Sequence, residues 1–79
     1  MYLVELFERG KGTSFVARNH SLYDAFHVAH EDAQERFAAN LVGVFITIDK
    51  PRYDGCVATY RVADREVWYN VYLAEGAKG

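Results

Sequence analysis

Residues 21–40, SLYDAFHVAHEDAQERFAAN, decide the fold, because here apolar residues begin to recur at spacings of three and four. Leu22, Ala25, Phe26, Ala29, Ala33 and Phe37 fall on one side of a helix, while Asp24, His27, Glu31, Asp32 and Glu35 lie away from that stripe. The pattern predicts a helix over 22–39. Ser21 is its N-cap, Asp24 at the third helical position is a weaker form of the capping-box acid, and Asn40 is the C-terminal stop. The three alanines on the stripe let such a helix lie close to a sheet.

On either side of this segment the period is that of strands. Residues 2–9, YLVELFER, mix aromatic, β-branched and charged side chains in near alternation, and Gly10-Lys11-Gly12 breaks the run. Strand chemistry resumes over 13–18, TSFVAR, so the two runs form a hairpin. After the helix, 41–48, LVGVFITI, is too short for an independent helix and rich in β-branched residues, which reads as a central strand. Residues 49–55, DKPRYDG, hold the only proline and an Asp-Gly pair and form a loop. Two further strands, 56–62 and 67–73, are joined by the polar turn 63–66 as a second hairpin, and 74–79 is expected to fray. The order is β-β-α-β-β-β: an α+β domain spanning 1–79, with one helix packed on one face of a mainly antiparallel five-stranded sheet.

Composition bounds what such a domain does. A chain of 79 residues encloses one core, burying about 60% of its unfolded surface, and here 51% of residues are apolar and 15% aromatic. Rings in excess of what a small core holds are left at the surface, where clusters of them mark interfaces. Nine basic and eleven acidic residues give a net charge of −2, with no basic field for phosphate backbones. Cys56 is alone and cannot form an internal disulfide, which suits a reducing cytoplasm. The longest apolar run, 41–48, falls far short of the roughly 20 residues of a membrane span. The expected location is the cytoplasm, with no membrane partner.

One helix leaves the second sheet face uncovered, and the side-chain period of two sorts residues between the faces. In the third strand Val42, Val44, Ile46 and Ile48 form the more uniformly apolar set and are expected to face the helix, turning Phe45 and Thr47 outward. In the last strand Val67, Tyr69, Val71 and Leu73 are expected inward, turning Trp68, Asn70 and Tyr72 outward. Phe45, Trp68 and Tyr72 then make a platform, extended by Tyr60 or its neighbours Thr59 and Arg61; a slip of one residue exchanges the two sets. Plain packing under the 49–55 loop, face-to-face stacking of two copies as a homodimer, and a heterologous protein partner all account for such a face. Stacking on single-stranded nucleic acid, carried with Arg52, Arg61 and Arg65, is the less favoured alternative, because Gly43-Val44-Phe45-Ile46 lacks the basic residue and second aromatic of RNA-recognition sheets.

Catalytic chemistry finds no anchor. His27, His30, Glu31 and Asp24 share helical spacings that would bring two or three of them to one ion, but no other Cys or His has ligand spacing, and solvation of an outer helix face explains them. Nothing local activates Cys56. The pairs Glu31 with Asp32 and Asp64 with Glu66 read as solvated carboxylates. Gly10 and Gly12 precede a strand, where a phosphate loop needs a helix. The chain is expected to be a non-enzyme without a metal or cofactor.

The run Phe15-Val16-Ala17-Arg18-Asn19-His20-Ser21-Leu22-Tyr23-Asp24-Ala25, followed by Ala29 and the strand over 42–48, resembles a module of small phage-encoded proteins. In these a strand hairpin leads into a helix and the chain returns to an antiparallel sheet. Anti-CRISPR proteins and small phage inhibitors of host RNA polymerase are similar in size and element order. The resemblance implies a non-enzymatic viral inhibitor that occupies a surface of a host nucleic-acid machine, such as a CRISPR effector complex, in the host cytoplasm. Mixed charge departs from the acidic DNA mimics of that group and favours a sheet-face or loop contact. Trp68 and Tyr72 are then the anchors, and Arg52, Tyr53, Arg61 and Arg65 the rim.

Overall fold

The structure, a computed structural model, describes residues 1–37, 43–48, 55–62 and 66–74. Chain order is β1 (Tyr2–Glu8), β2 (Gly12–Asn19), α1 (Leu22–Arg36), β3 (Gly43–Thr47), β4 (Cys56–Val62) and β5 (Val67–Leu73). The fold is α+β: the strands form one antiparallel sheet in the order β2-β1-β5-β4-β3, and α1 packs across one face.

The first hairpin closes where Lys11 N–H donates to Glu8 O at 2.9 Å. Gly10, at φ 87°, supplies the left-handed residue that this turn requires at its third position. The first and last strands of the chain are neighbours, in register from Tyr2 opposite Leu73 to Glu8 opposite Val67. Ala74 N–H extends that ladder by donating to Met1 O at 2.9 Å; residues 75–79 lie outside the described residues.

The helix begins where the sequence places it. Ser21 is extended and its hydroxyl accepts from Asp24 N–H at 3.0 Å. It closes with Phe37 N–H donating to Ala33 O, and residues 38–40, with the expected Asn40 stop, lie outside the described residues. Ala25, Ala29 and Ala33 are buried against the sheet, and Leu22, Phe26 and Phe37 pack on the core from the flanks. Beneath them lie Val4 and Leu6 of β1, Ala58, Tyr60 and Val62 of β4, and Val67, Tyr69 and Val71 of β5.

Two expectations about β3 are corrected. It is an edge strand, not a central one. Its faces are also reversed: Val44 and Ile46 are 54% and 51% exposed, while Phe45 packs against Phe26 of the helix with ring centroids 5.1 Å apart. The cause lies in β4. Gly43, Phe45 and Thr47 pair with Val62, Tyr60 and Ala58, all buried under the helix, so the register of β4 and not the uniformity of the apolar set decides which side is covered. Gly43 fixes this register, because a Cβ there would overlap the Tyr60 ring. Val42 lies outside the described residues, and Ile48, half-buried, is past the strand end.

Candidate functional site: the helix-free sheet face

Strand registers align side chains into rows across the face opposite the helix. One row runs Phe15, Glu5, Asn70, Thr59 and Ile46; the next runs Thr13, Phe7, Trp68, Arg61 and Val44. Arg18, Leu3 and Tyr72 form a shorter third row. Phe7 and Trp68 meet with ring centroids 5.8 Å apart, Phe15 is 59% exposed, and Leu3, Phe7, Trp68 and Tyr72 are half-buried. The result is a mixed face: aromatic side chains gather over β2, β1 and β5, and Thr59 and Arg61 of β4 separate them from Val44 and Ile46 at the β3 edge; clustered exposed rings mark interaction surfaces. Within it Glu5 stands between Phe15 and Asn70, and no ion pair to Glu5 occurs among the described residues.

Trp68, Tyr72 and Arg61 thus come together on this face, with Trp68 directly opposite Arg61. Phe45 and Tyr60 do not: both lie on the helix side, because the registers place Phe45 beside Tyr60 and Tyr60 beside the buried Tyr69. Arg52, Tyr53 and Arg65 lie outside the described residues. Leu3, Glu5, Phe7 and Phe15 are the contributors that the sequence reading did not single out. Strict alternation against the buried Val4 and Leu6 is the signal for Leu3, Glu5 and Phe7, whereas Phe15 follows a register shift between Val4 and Glu5 that no sequence pattern announces.

The helix side carries the polar chemistry, and it is structural. Two tyrosines rise from the sheet along opposite flanks of the alanine stripe. Tyr60 OH shares a hydrogen bond of 2.8 Å with His30 Nδ1, and Tyr69 OH donates to Asp32 Oδ2 at 2.6 Å. Arg36 holds the same carboxylate through Nε at 2.9 Å and Nη2 at 3.3 Å. Burial pushes the Asp32 carboxyl up, but hydrogen bonds from Arg36 and Tyr69 and the Arg36 charge outweigh it and leave the group below its ordinary value. Burial, reinforced by the hydrogen bond to Asp32 and its charge, pushes the Tyr69 phenol well up; burial alone raises Tyr60. These groups anchor helix to sheet where His30 and Asp32 were expected to be solvated. His27 packs edge-on against Tyr23, and among the described residues no cluster of His, Cys, Asp or Glu is placed to hold a metal ion. Cys56 is buried, its thiol 3.5 Å from Ala58 O.

An apolar hollow of about 410 Å³ opens between the first turns of α1 and the sheet edge, lined by Leu22, Tyr23, Phe26 and Phe45. Among the described residues no helix is long and apolar enough to cross a membrane. No family model, no curated protein and no solved structure matches this chain.

Proposed function

We propose that the chain is a non-enzymatic protein-binding module that docks its partner on the helix-free sheet face. The observation that carries this reading is the exposed Phe15 and the Phe7–Trp68 ring pair gathered on one face around Glu5, with Val44 and Ile46 beyond Thr59 and Arg61 at the β3 edge. A carboxylate with no ion pair among the described residues, set beside these rings, suits a partner that brings an apolar patch and a Lys or Arg to meet it. The resemblance to small phage inhibitors suggests the partner class, a host nucleic-acid machine such as a CRISPR effector complex.

Trp68 and Tyr72 are the anchors, because large rings near the centre of an interface carry most of its affinity. The test is capture from bacterial lysate, identification of the stoichiometric partner, and reconstitution of the complex from purified components. Trp68→Ala combined with Tyr72→Ala is expected to weaken the reconstituted complex by roughly thirtyfold or more, with the circular-dichroism spectrum retained. Glu5→Lys is expected to weaken it as well. Affinity unchanged in both variants would remove the reading.

Arg61 opposite Trp68 favours one alternative, a stacked base with its phosphate held by the guanidinium. Titration with mixed-sequence oligonucleotides at low salt should then quench Trp68 fluorescence, less so as salt rises. A flat response sets that alternative aside.

A further inference from the structure

The two edges of the sheet are unlike. The β2 edge carries a register shift against β1, the charged Arg18, and Lys11 in its turn, the features that keep an edge from pairing with another chain. Within the β3 strand itself none of these occurs; Lys50 and Pro51, which follow it in sequence, lie outside the described residues. The strand's sequence is Gly43-Val44-Phe45-Ile46-Thr47, with no charge and no proline, and it pairs with β4 without a shift. Ile48 N–H donates to Val57 O, so by the alternation of antiparallel ladders Val44 and Ile46 bond to β4 while Gly43, Phe45 and Thr47 direct N–H and C=O to the outer side, where no strand pairs with them among the described residues.

We propose that β3 is the seam of a two-fold dimer in which this edge pairs antiparallel with the same strand of a second copy of the chain. A two-fold axis at Phe45 sets Phe45 opposite its counterpart and Gly43 opposite Thr47 as hydrogen-bonded pairs, and Val44 opposite Ile46 as the closer, non-bonded pair. The match holds on both faces. On one, the half-exposed Val44 and Ile46 cover each other; on the other, the second Phe45 reaches the hollow between Leu22, Tyr23 and Phe26, where Tyr23 is 70% exposed. Two-fold pairing sets like residues around one axis, which penalises a charged edge and leaves this uncharged one free to pair. The same operation keeps both helices on one side and joins the two helix-free faces into one surface. The dimer does not depend on the partner reading above.

Sedimentation equilibrium of the full chain tests it. The weight-average mass is expected to rise from 9.0 kDa toward twice that value between about 1 µM and about 1 mM, the range suited to an interface smaller than standard size. Thr47→Pro removes an N–H that β4 does not use, so it should hold the mass at that of the monomer while leaving the circular-dichroism spectrum intact. Val44→Glu and Ile46→Lys should each shift association to concentrations at least about tenfold higher, and mixing the two should restore it, since Glu at 44 then faces Lys at 46. A monomer throughout the range overturns the proposal. So does a dimer that survives Thr47→Pro and is lost in the Trp68→Ala/Tyr72→Ala variant, which would seat the contact on the sheet face. Failure of the mixture to recover overturns the register.

Discussion

Gly43 shows how one residue can set a strand's orientation. The Tyr60 ring lies over it, held by the His30 hydrogen bond and by edge contacts with Phe26 and Tyr69, so the ring has little room to yield. Gly43→Ala places a methyl group into that ring, and overpacking of this kind costs about 1–3 kcal/mol. Chemical denaturation is expected to show that loss, and a double-mutant cycle with Tyr60→Leu should recover most of it. A penalty unchanged in the Tyr60→Leu background would mean that the glycine is needed for its backbone and not for the space above it. The same residue explains why the β3 faces were misread. Within Val-Gly-Val-Phe-Ile-Thr-Ile the glycine counts as a gap in the apolar pattern, yet it lies on the covered side, where the Tyr60 ring of β4 fills the gap.

At the scale of elements, legibility tracks how local the deciding interaction is. β4 and β5 fall at the expected boundaries, and alternation alone places Val67, Tyr69 and Val71 in the core, while Leu73, expected with them, is 39% exposed at the strand end. The start of α1 is equally local, since it rests on a hydroxyl reaching a backbone N–H three residues on. Ser21→Ala should therefore cost about 1 kcal/mol, read as a lower urea midpoint at constant slope, with Ser21→Asp close to the parent. If alanine leaves the midpoint in place, packing of the alanine stripe and not the cap determines where the helix begins. Sheet order is the opposite case. β1 lies between β2 and β5, and β3 falls at the edge, through pairings between residues remote in sequence. Hence alternation suffices to place Trp68 and Tyr72 on the helix-free face, whereas the choice between Tyr60 and Arg61 and the orientation of Phe45 wait on the β3–β4–β5 register, which puts Arg61 on that face and Phe45 and Tyr60 under the helix.

The polar groups that clamp helix to sheet link the stability of the whole molecule to pH, with Asp32 acting at the acid end and Tyr60 and Tyr69 at the alkaline end. Asp32 in the fold sits below its ordinary value of 3.8, so it contributes stability above that pH and loses the contribution as pH falls further and the folded carboxyl is protonated. Tyr69 and Tyr60 are raised above 10.0, so below that pH their contribution is complete. Above it the unfolded chain releases phenolic protons that the fold retains, and stability declines. Thermal melts from pH 2 to 11 should therefore trace a plateau with two limbs. Asp32→Asn is expected to flatten the acid limb below about pH 4, and Tyr60→Phe with Tyr69→Phe the alkaline limb above about pH 10, each lowering the plateau through its lost hydrogen bonds. Limbs of unaltered slope in these variants would assign the pH response to other groups. None of these clamping groups lies on the helix-free face. Trp68→Ala on that face should therefore leave both limbs in place while weakening the proposed complex, which separates the proposed docking surface from the groups that clamp helix to sheet.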